Sequence, residues 1–265
     1  MQESSVQTTS KKPESPAWED QELDSLHDNA EKHEKVRAMF NAIARSYDLN
    51  NRVHSLWRDT AWRKRAVLEA GVQPGDQILD CACGTGDLTQ AFARYTKAER
   101  VIGSDYTPNM LEIARHKREH LHNQLQSRIE YQQADAQELP FEENAFDVVS
   151  IAFGIRNVQA PERAMAEFYR VLKPGGRLMV LEFGQPSFPP IRWFNTFYCG
   201  VIMPRTATWI SRDTSGAYRY LPRSVSSFKS RSEMEQSYKD AGFTKISSKP
   251  LTFGICNLYK GHKPS

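Results

Sequence analysis

A chain of 265 residues, 39% hydrophobic and 25% charged, is long enough for one large α/β domain with appendages and an ample core. Its formal net charge of +3 is too small to imply a nucleic-acid partner, and no apolar run approaches the roughly 20 residues of a membrane span. The four cysteines (Cys81, Cys83, Cys199, Cys256) make neither a disulfide framework nor a metal signature, which fits a reducing, cytoplasmic compartment with no metal site.

Residues 1–30 mix Gln, Ser, Thr, Lys, Pro and Glu around no apolar core. They read as a disordered tail and as neither a signal nor a transit peptide. A helical cap follows over 31–75. Val36, Met39, Phe40 and Ile43 space one apolar helix face, and Tyr47-Asp48-Leu49-Asn50-Asn51 predicts a break. A second helix is expected from about Leu56 through Trp57 and Trp62 to Leu68, closed by Gly71, Pro74 and Gly75. Over 76–184 strands and helices alternate, with strands ending near Asp80, Asp105, Ala134 and Ala152. That is the pattern of a parallel, doubly wound α/β sheet. A helix from Pro161 to Leu172 and the turn Lys173-Pro174-Gly175-Gly176 lead into a fifth strand, Arg177 to Phe183. Residues 185–232, rich in aromatics, arginine and proline, predict a mostly helical insertion. The segment 233–265 completes the sheet with a strand pair, Lys245–Ser248 and Ile255–Tyr259.

The run Ile78-Leu79-Asp80-Cys81-Ala82-Cys83-Gly84-Thr85-Gly86-Asp87-Leu88-Thr89 is a buried strand, a glycine turn and a helix start, a geometry that holds nucleotide-like cofactors. Gly84 and Gly86 let a ligand approach the backbone, but Thr89 stands where a dinucleotide fingerprint has its third glycine. Asp87 falls at the helix N-terminus, where a pyrophosphate would dock. A carboxylate there disfavours phosphate and suits a cation such as S-adenosylmethionine. Asp105, followed by Tyr106, comes about 20 residues past the glycines, the spacing at which a carboxylate accepts from ribose hydroxyls. Asp135 could accept from an adenine amine, with Ala136 leaving room for the ring. Asp80 either meets the methionine ammonium, directly or through water, or caps the glycine turn.

Asp80 through Thr89, Leu139-Pro140-Phe141, Phe153-Gly154-Ile155-Arg156-Asn157 and Arg170-Val171-Leu172-Lys173-Pro174-Gly175-Gly176 resemble the menaquinone/ubiquinone-biosynthesis C-methyltransferases. So do Met39-Phe40 to Tyr47-Asp48 and Tyr218-Arg219-Tyr220-Leu221, and the likeness covers nearly everything after about Val36. The resemblance implies a class I methyltransferase (Rossmann-like) fold of seven strands with the last antiparallel. It implies methyl transfer from S-adenosylmethionine to a ring carbon of a prenylated quinol, demethylmenaquinol to menaquinol. The rival substrates are a benzoquinol of the ubiquinone pathway, or another small molecule or lipid on the same fold. By motif, Thr85, Asp105, Asp135 and Ala136 match the family's cofactor positions. Ala152 stands where the family often has serine, so a hydroxyl contact is lost there. A homodimer, or association with other quinone-biosynthesis proteins, is the partner expectation.

Methyl transfer is an in-line displacement, so catalysis is mostly positioning, and the acceptor ring must be reduced and preferably deprotonated. Arg156 and Asn157 follow the fourth strand and are candidates for stabilising phenolate charge and orienting the ring oxygen. Alternatively, Arg156 pairs with a carboxylate such as Asp135 or Glu162. Tyr47 and Asp48 either fold over the cofactor or form a helix-ending turn, and His54 is a base only if something orients it. In the insertion, Ile191, Trp193, Phe194, Phe197, Val201 and Ile202 make an apolar stretch flanked by Arg192 and Arg205. It reads as a lid that shelters a prenyl tail or touches the inner face of a membrane, with ordinary core as the alternative.

Overall fold

The computed structural model describes residues 31–211 and 217–265, so the tail expected over 1–30 lies outside the described residues. The chain opens with α1 (Lys32–His54) and α2 (Arg58–Glu69). The core then runs β1 (Gln77–Cys81), α3 (Asp87–Tyr95), β2 (Arg100–Asp105), α4 (Pro108–Glu119), α5 (Asn123–Gln126), β3 (Ile129–Gln133), β4 (Phe146–Ala152), α6 (Pro161–Val171) and β5 (Leu172–Phe183). An inserted block follows: α7 (Pro189–Phe197), a π-helical segment (Tyr198–Ile202), α8 (Met203–Ser211) and α9 (Ala217–Ser226). The chain closes with α10 (Arg231–Asp240), β6 (Thr244–Leu251) and β7 (Cys256–His262).

Among the described residues the strands form one seven-stranded sheet in the order β3-β2-β1-β4-β5-β7-β6. The pairs from β3 to β5 are parallel, and β7 runs antiparallel to both β5 and β6. The chain therefore starts mid-sheet, walks outward to β3, and crosses back to β4. The crevice between the ends of β1 and β4 is the switch point at which such sheets bind ligands.

Side-chain alternation assigns the core. Ile78, Val101, Val148 and Met179 join Trp62, Ala66 and Phe92 on one face; Leu79, Ile102, Val149 and Val180 join Phe168, Met234 and Tyr238 on the other. A third, smaller cluster sets Val36, Met39 and Ile43 of α1 against Ala207, Ala217, Tyr218 and Tyr220 of the inserted block.

The expected break at Tyr47–Asn51 is absent: α1 continues through it to His54. Asn50, a poor helix former, is buried and donates to Ser46 O (3.2 Å) and to the Tyr218 hydroxyl (2.7 Å), so tertiary contacts override propensity. The break falls instead at Leu56 and Trp57, both left-handed (φ 51° and 59°), with the Trp57 amide donating to Arg52 O. Trp57 and Leu56 are exposed and do not begin α2. The turn expected at Lys173–Gly176 is drawn into β5, with a register shift opposite Phe146 and Val148.

Candidate functional site

A cleft of about 730 Å³, counting its open mouth, lies at the carboxyl ends of β1, β2 and β4 and is roofed by α1. Its wall includes Gly84, Asp105, Tyr106, Asp135, Ala136, Ala152 and Asn157, together with Tyr47 from the roof.

Asp105 is the best-defined group. Its Oδ2 accepts from the Gly84 amide and its Oδ1 from the Thr107 amide, each at 2.8 Å. A carboxylate has about four acceptor sites, so Asp105, which lines the cleft, has capacity beyond these bonds, as an acceptor of ribose hydroxyls needs. Burial raises its carboxyl above the ordinary range, and these backbone donors oppose that shift. Gly84 (φ +56°) has open space where a Cβ would stand, with Tyr47 Cε1 nearest at 4.0 Å. Gly86 is fixed by the fold: a Cβ there would strike the Tyr131 hydroxyl. Two residues of the cleft wall, Ala82 (φ 47°) and Phe153 (φ 59°), are left-handed. Strained backbone of this kind costs about 1–3 kcal/mol per residue and gathers at functional sites.

Asp80 belongs to another layer. Fully buried, it accepts from Thr89 Oγ1 (2.7 Å) and Ser150 Oγ (2.8 Å), and burial raises its carboxyl to about 6. It is not in the cleft wall and supports the turn from beneath, while Thr89, where a third glycine would stand, is its hydrogen-bond partner. Thr85 also points away from the cleft: its hydroxyl donates to Asp48 of α1 at 2.6 Å. Asp87 is not a free anion. Lys117 and Arg52 each reach it at 2.6 Å and hold its carboxyl well below the usual range, against its burial. Its charge is therefore already matched within the chain, and the inference of a cationic ligand from Asp87 loses its footing.

At the far end, Asp135 accepts from the Gln137 amide (2.9 Å) and lies 3.7 Å from His33 Nε2. His33 packs against Tyr106 at a tilt of 58° with ring centroids 3.9 Å apart, and the Tyr106 hydroxyl donates to Glu34. The first turns of α1 thus close over the end of β2.

The Phe153–Asn157 run divides. Asn157 borders the cleft: its Oδ1 accepts from the Tyr220 hydroxyl at 3.0 Å, and its amide nitrogen donates one N–H to Phe153 O at 3.3 Å and keeps the second as a donor. Arg156 turns inward, 2% exposed, with Nη1 donating to Glu182 Oε1 (2.7 Å) and Phe153 O (2.6 Å) and Nε to Ser224 (3.2 Å). The structure places its guanidinium outside the cleft wall. Its carboxylate partner is Glu182, neither of the two expected. His54 is likewise remote: its Nδ1 lies 3.0 Å from the Tyr198 hydroxyl, and burial lowers its pKa. The apolar stretch of the inserted block is not core: Trp193 is 72% exposed, and Phe194, Phe197, Val201 and Ile202 are exposed with it.

His33, Arg37, Met110 and Gln137 line the cleft without having been singled out. Nothing local in the sequence marks them, because the direction in which α1 crosses the sheet brings the first two there. Glu182 carried a signal: a lone carboxylate in the apolar run Val180-Leu181-Glu182-Phe183 demands a buried cation.

A sequence profile described as the ubiE/COQ5 methyltransferase family matches residues 28–263. The Ubiquinone/menaquinone biosynthesis C-methyltransferase UbiE of Erwinia tasmaniensis is 39% identical over 235 residues, 88% of this chain and 92% of that protein. Among solved structures, a SAM-dependent methyltransferase of Thermotoga maritima matches with TM-score 0.60 at 21% identity, covering 86% of this chain and 99% of that one. Phosphoethanolamine N-methyltransferase 2 of Haemonchus contortus, solved with S-adenosyl-L-methionine, matches with TM-score 0.54 at 19% identity over 76% of this chain and 52% of that one. The two structural likenesses bear on the fold.

Proposed function

Because the chain belongs to the ubiE/COQ5 methyltransferase family, we propose that it methylates a ring carbon of a prenylated quinol, converting demethylmenaquinol to menaquinol with S-adenosylmethionine as donor. One observation carries this reading. Asp105, Asp135 and the open side of Gly84 share a single cleft with Tyr47 and Asn157, so donor-type and acceptor-type groups line one space.

The residues present fit the donor. Asp105 would take the ribose hydroxyls, Asp135 and Ala136 the adenine, and the bare backbone at Gly84 would allow close approach. When bound, S-adenosylmethionine supplies an electrophilic methyl carbon on a sulfonium. The chain's own work is to align a nucleophilic ring carbon with it and to stabilise charge on the ring oxygen. Asn157 donates through its amide nitrogen, held by Tyr220. Burial holds the Tyr47 phenol above its ordinary range, so it stays a donor at neutral pH. Arg156 acts behind this surface, sharing the Phe153 carbonyl with Asn157 and so setting the loop that presents it.

The exposed aromatic face of the inserted block suits the prenyl tail and a peripheral contact with a bilayer. Among the described residues no helix is long and apolar enough to cross a membrane. A benzoquinol acceptor is the second reading, favoured by the relative's double name. Purified protein with labelled donor and a panel of quinols, sterols and phospholipid amines tests both: labelled menaquinol, formed from demethylmenaquinol, is the expected product. Turnover confined to a sterol or a phospholipid amine would overturn the quinol assignment.

A further inference from the structure

Helix α1 is attached in two unlike ways. Its apolar face (Val36, Met39, Ile43) packs on the inserted block, in a cluster separate from both faces of the sheet. Toward the glycine turn its fastenings are polar. Asp48 accepts from Thr85 Oγ1 at 2.6 Å and from Lys117 Nζ at 2.7 Å, and the same ammonium reaches Asp87 at 2.6 Å. Arg52, one turn further on, also meets Asp87 at 2.6 Å and pairs with Asp59. These side chains are partly buried, so they are not the freely solvated pairs that contribute little. Lys117 neutralises two carboxylates, one on the roof and one at the start of α3, that would repel each other without it. Tyr47, the neighbour of Asp48 in the chain, is the roof residue that faces Gly84.

We propose that Asp48 is a positioning residue: clipped by the Thr85 hydroxyl and the Lys117 ammonium, it fastens the roof helix to the glycine turn and so fixes Tyr47 over the donor end of the cleft. The proposal rests on the reading of that cleft as the S-adenosylmethionine site. Directional polar contacts suit this place better than an apolar seam. They define one closed position, yet water can replace them when the roof lifts to admit a ligand. Asp48 and Thr85 thus form a matched pair across the two elements, which accounts for a buried hydroxyl that does not face the cleft.

The test is calorimetric titration of the full chain with S-adenosylmethionine, with steady-state kinetics at low and high salt. Asp48→Asn keeps the side-chain shape and the acceptor for Thr85 but loses the charge. It is expected to melt close to the wild type, to bind the donor about tenfold more weakly, and to lower kcat without changing KM for the quinol. Lys117→Met should do the same and Lys117→Arg should restore most of the loss. Donor affinity of the wild type should fall with salt, and that of Asp48→Asn should not. Wild-type affinity and kcat in Asp48→Asn would overturn the proposal. Should Lys117→Met fail to fold, the isosteric Asp48→Asn decides alone. Absence of donor binding by the wild type would sink the underlying site assignment instead, so the two failures are distinguishable.

Discussion

The shelf formed by the ends of β1 to β3 and the roof formed by α1 with the inserted block are built on different physics. On the shelf, positions follow from strand register: Asp80 stands opposite Gly103 and Ser150, and Asp105 opposite Gln133. Both faces of β1 are buried, so a slip of one residue would swap the rows packed on its two faces and misplace Asp80. The roof has no such constraint. Its apolar cluster is small, its ties to the shelf are polar, and Trp57, Trp193 and Trp209 face solvent. A rigid shelf suits the invariant half of the reaction, the donor. An adaptable roof suits an acceptor with a long apolar tail.

The comparison breaks most readily at the joint between the two regions. Arg156 links Glu182 of the sheet to Ser224 of α9, and removing one partner of a buried pair costs about 3–5 kcal/mol. Arg156→Ala should therefore lower Tm by roughly 10 °C in a thermal melt, at about 2–4 °C per kcal/mol for a chain of this size. A wild-type melt would mean the two regions are not coupled there. Next in size, Asp105→Ala should weaken donor binding by about a hundredfold or more in a calorimetric titration, because it also strips the Gly84 and Thr107 amides of their acceptor.

A pH series sharpens the shelf side. Burial lifts the Asp80 carboxyl to about 6, above its unfolded value, so the folded chain retains a proton that the unfolded chain gives up. The contribution of this group to stability is present below the unfolded value near pH 4 and is lost as pH rises through about 6. Asp80→Asn should be more stable than the wild type above that point, by up to about 3 kcal/mol in denaturant titrations. The two should converge on acidification to about pH 4. The smallest effect belongs to the roof. Tyr220→Phe frees the Asn157 amide and should lower kcat roughly fivefold, near 1 kcal/mol, with donor affinity unchanged. A changed donor affinity would show that the roof reaches the shelf by this route.

How much of this was legible in the sequence divides along the same line. The first four strands end at Cys81, Asp105, Gln133 and Ala152, each within a residue of its expected end, because strand period and glycine turns are local signals. The convergence of Asp105 and Asp135 on one crevice was readable from their places at strand ends. The helical character of the inserted block was readable as well. What escaped was set by long-range contacts. Asn50 and Asn51 looked like a break until Tyr218, far along the chain, supplied a partner for Asn50. Asp80 was read as an ammonium contact or a cap of the turn, Thr85 as a cofactor position by motif and Asp87 as an unmatched charge; their partners Ser150, Asp48, Lys117 and Arg52 come from elsewhere in the chain. Spacing locates a carboxylate; it does not tell which cation already holds it.

The left-handed pair at the floor of the cleft constrains how this protein can vary. A methyl group added at Gly154 would come within 2.7 Å of Ala82 Cβ, so Ala82 and Gly154 cannot drift independently. Phe153, between Gly154 and the end of β4, holds a backbone conformation that bulky side chains adopt reluctantly. Mutational paths through these three positions therefore run as concerted changes, and new acceptor preferences have an easier route through the inserted helices than through the floor.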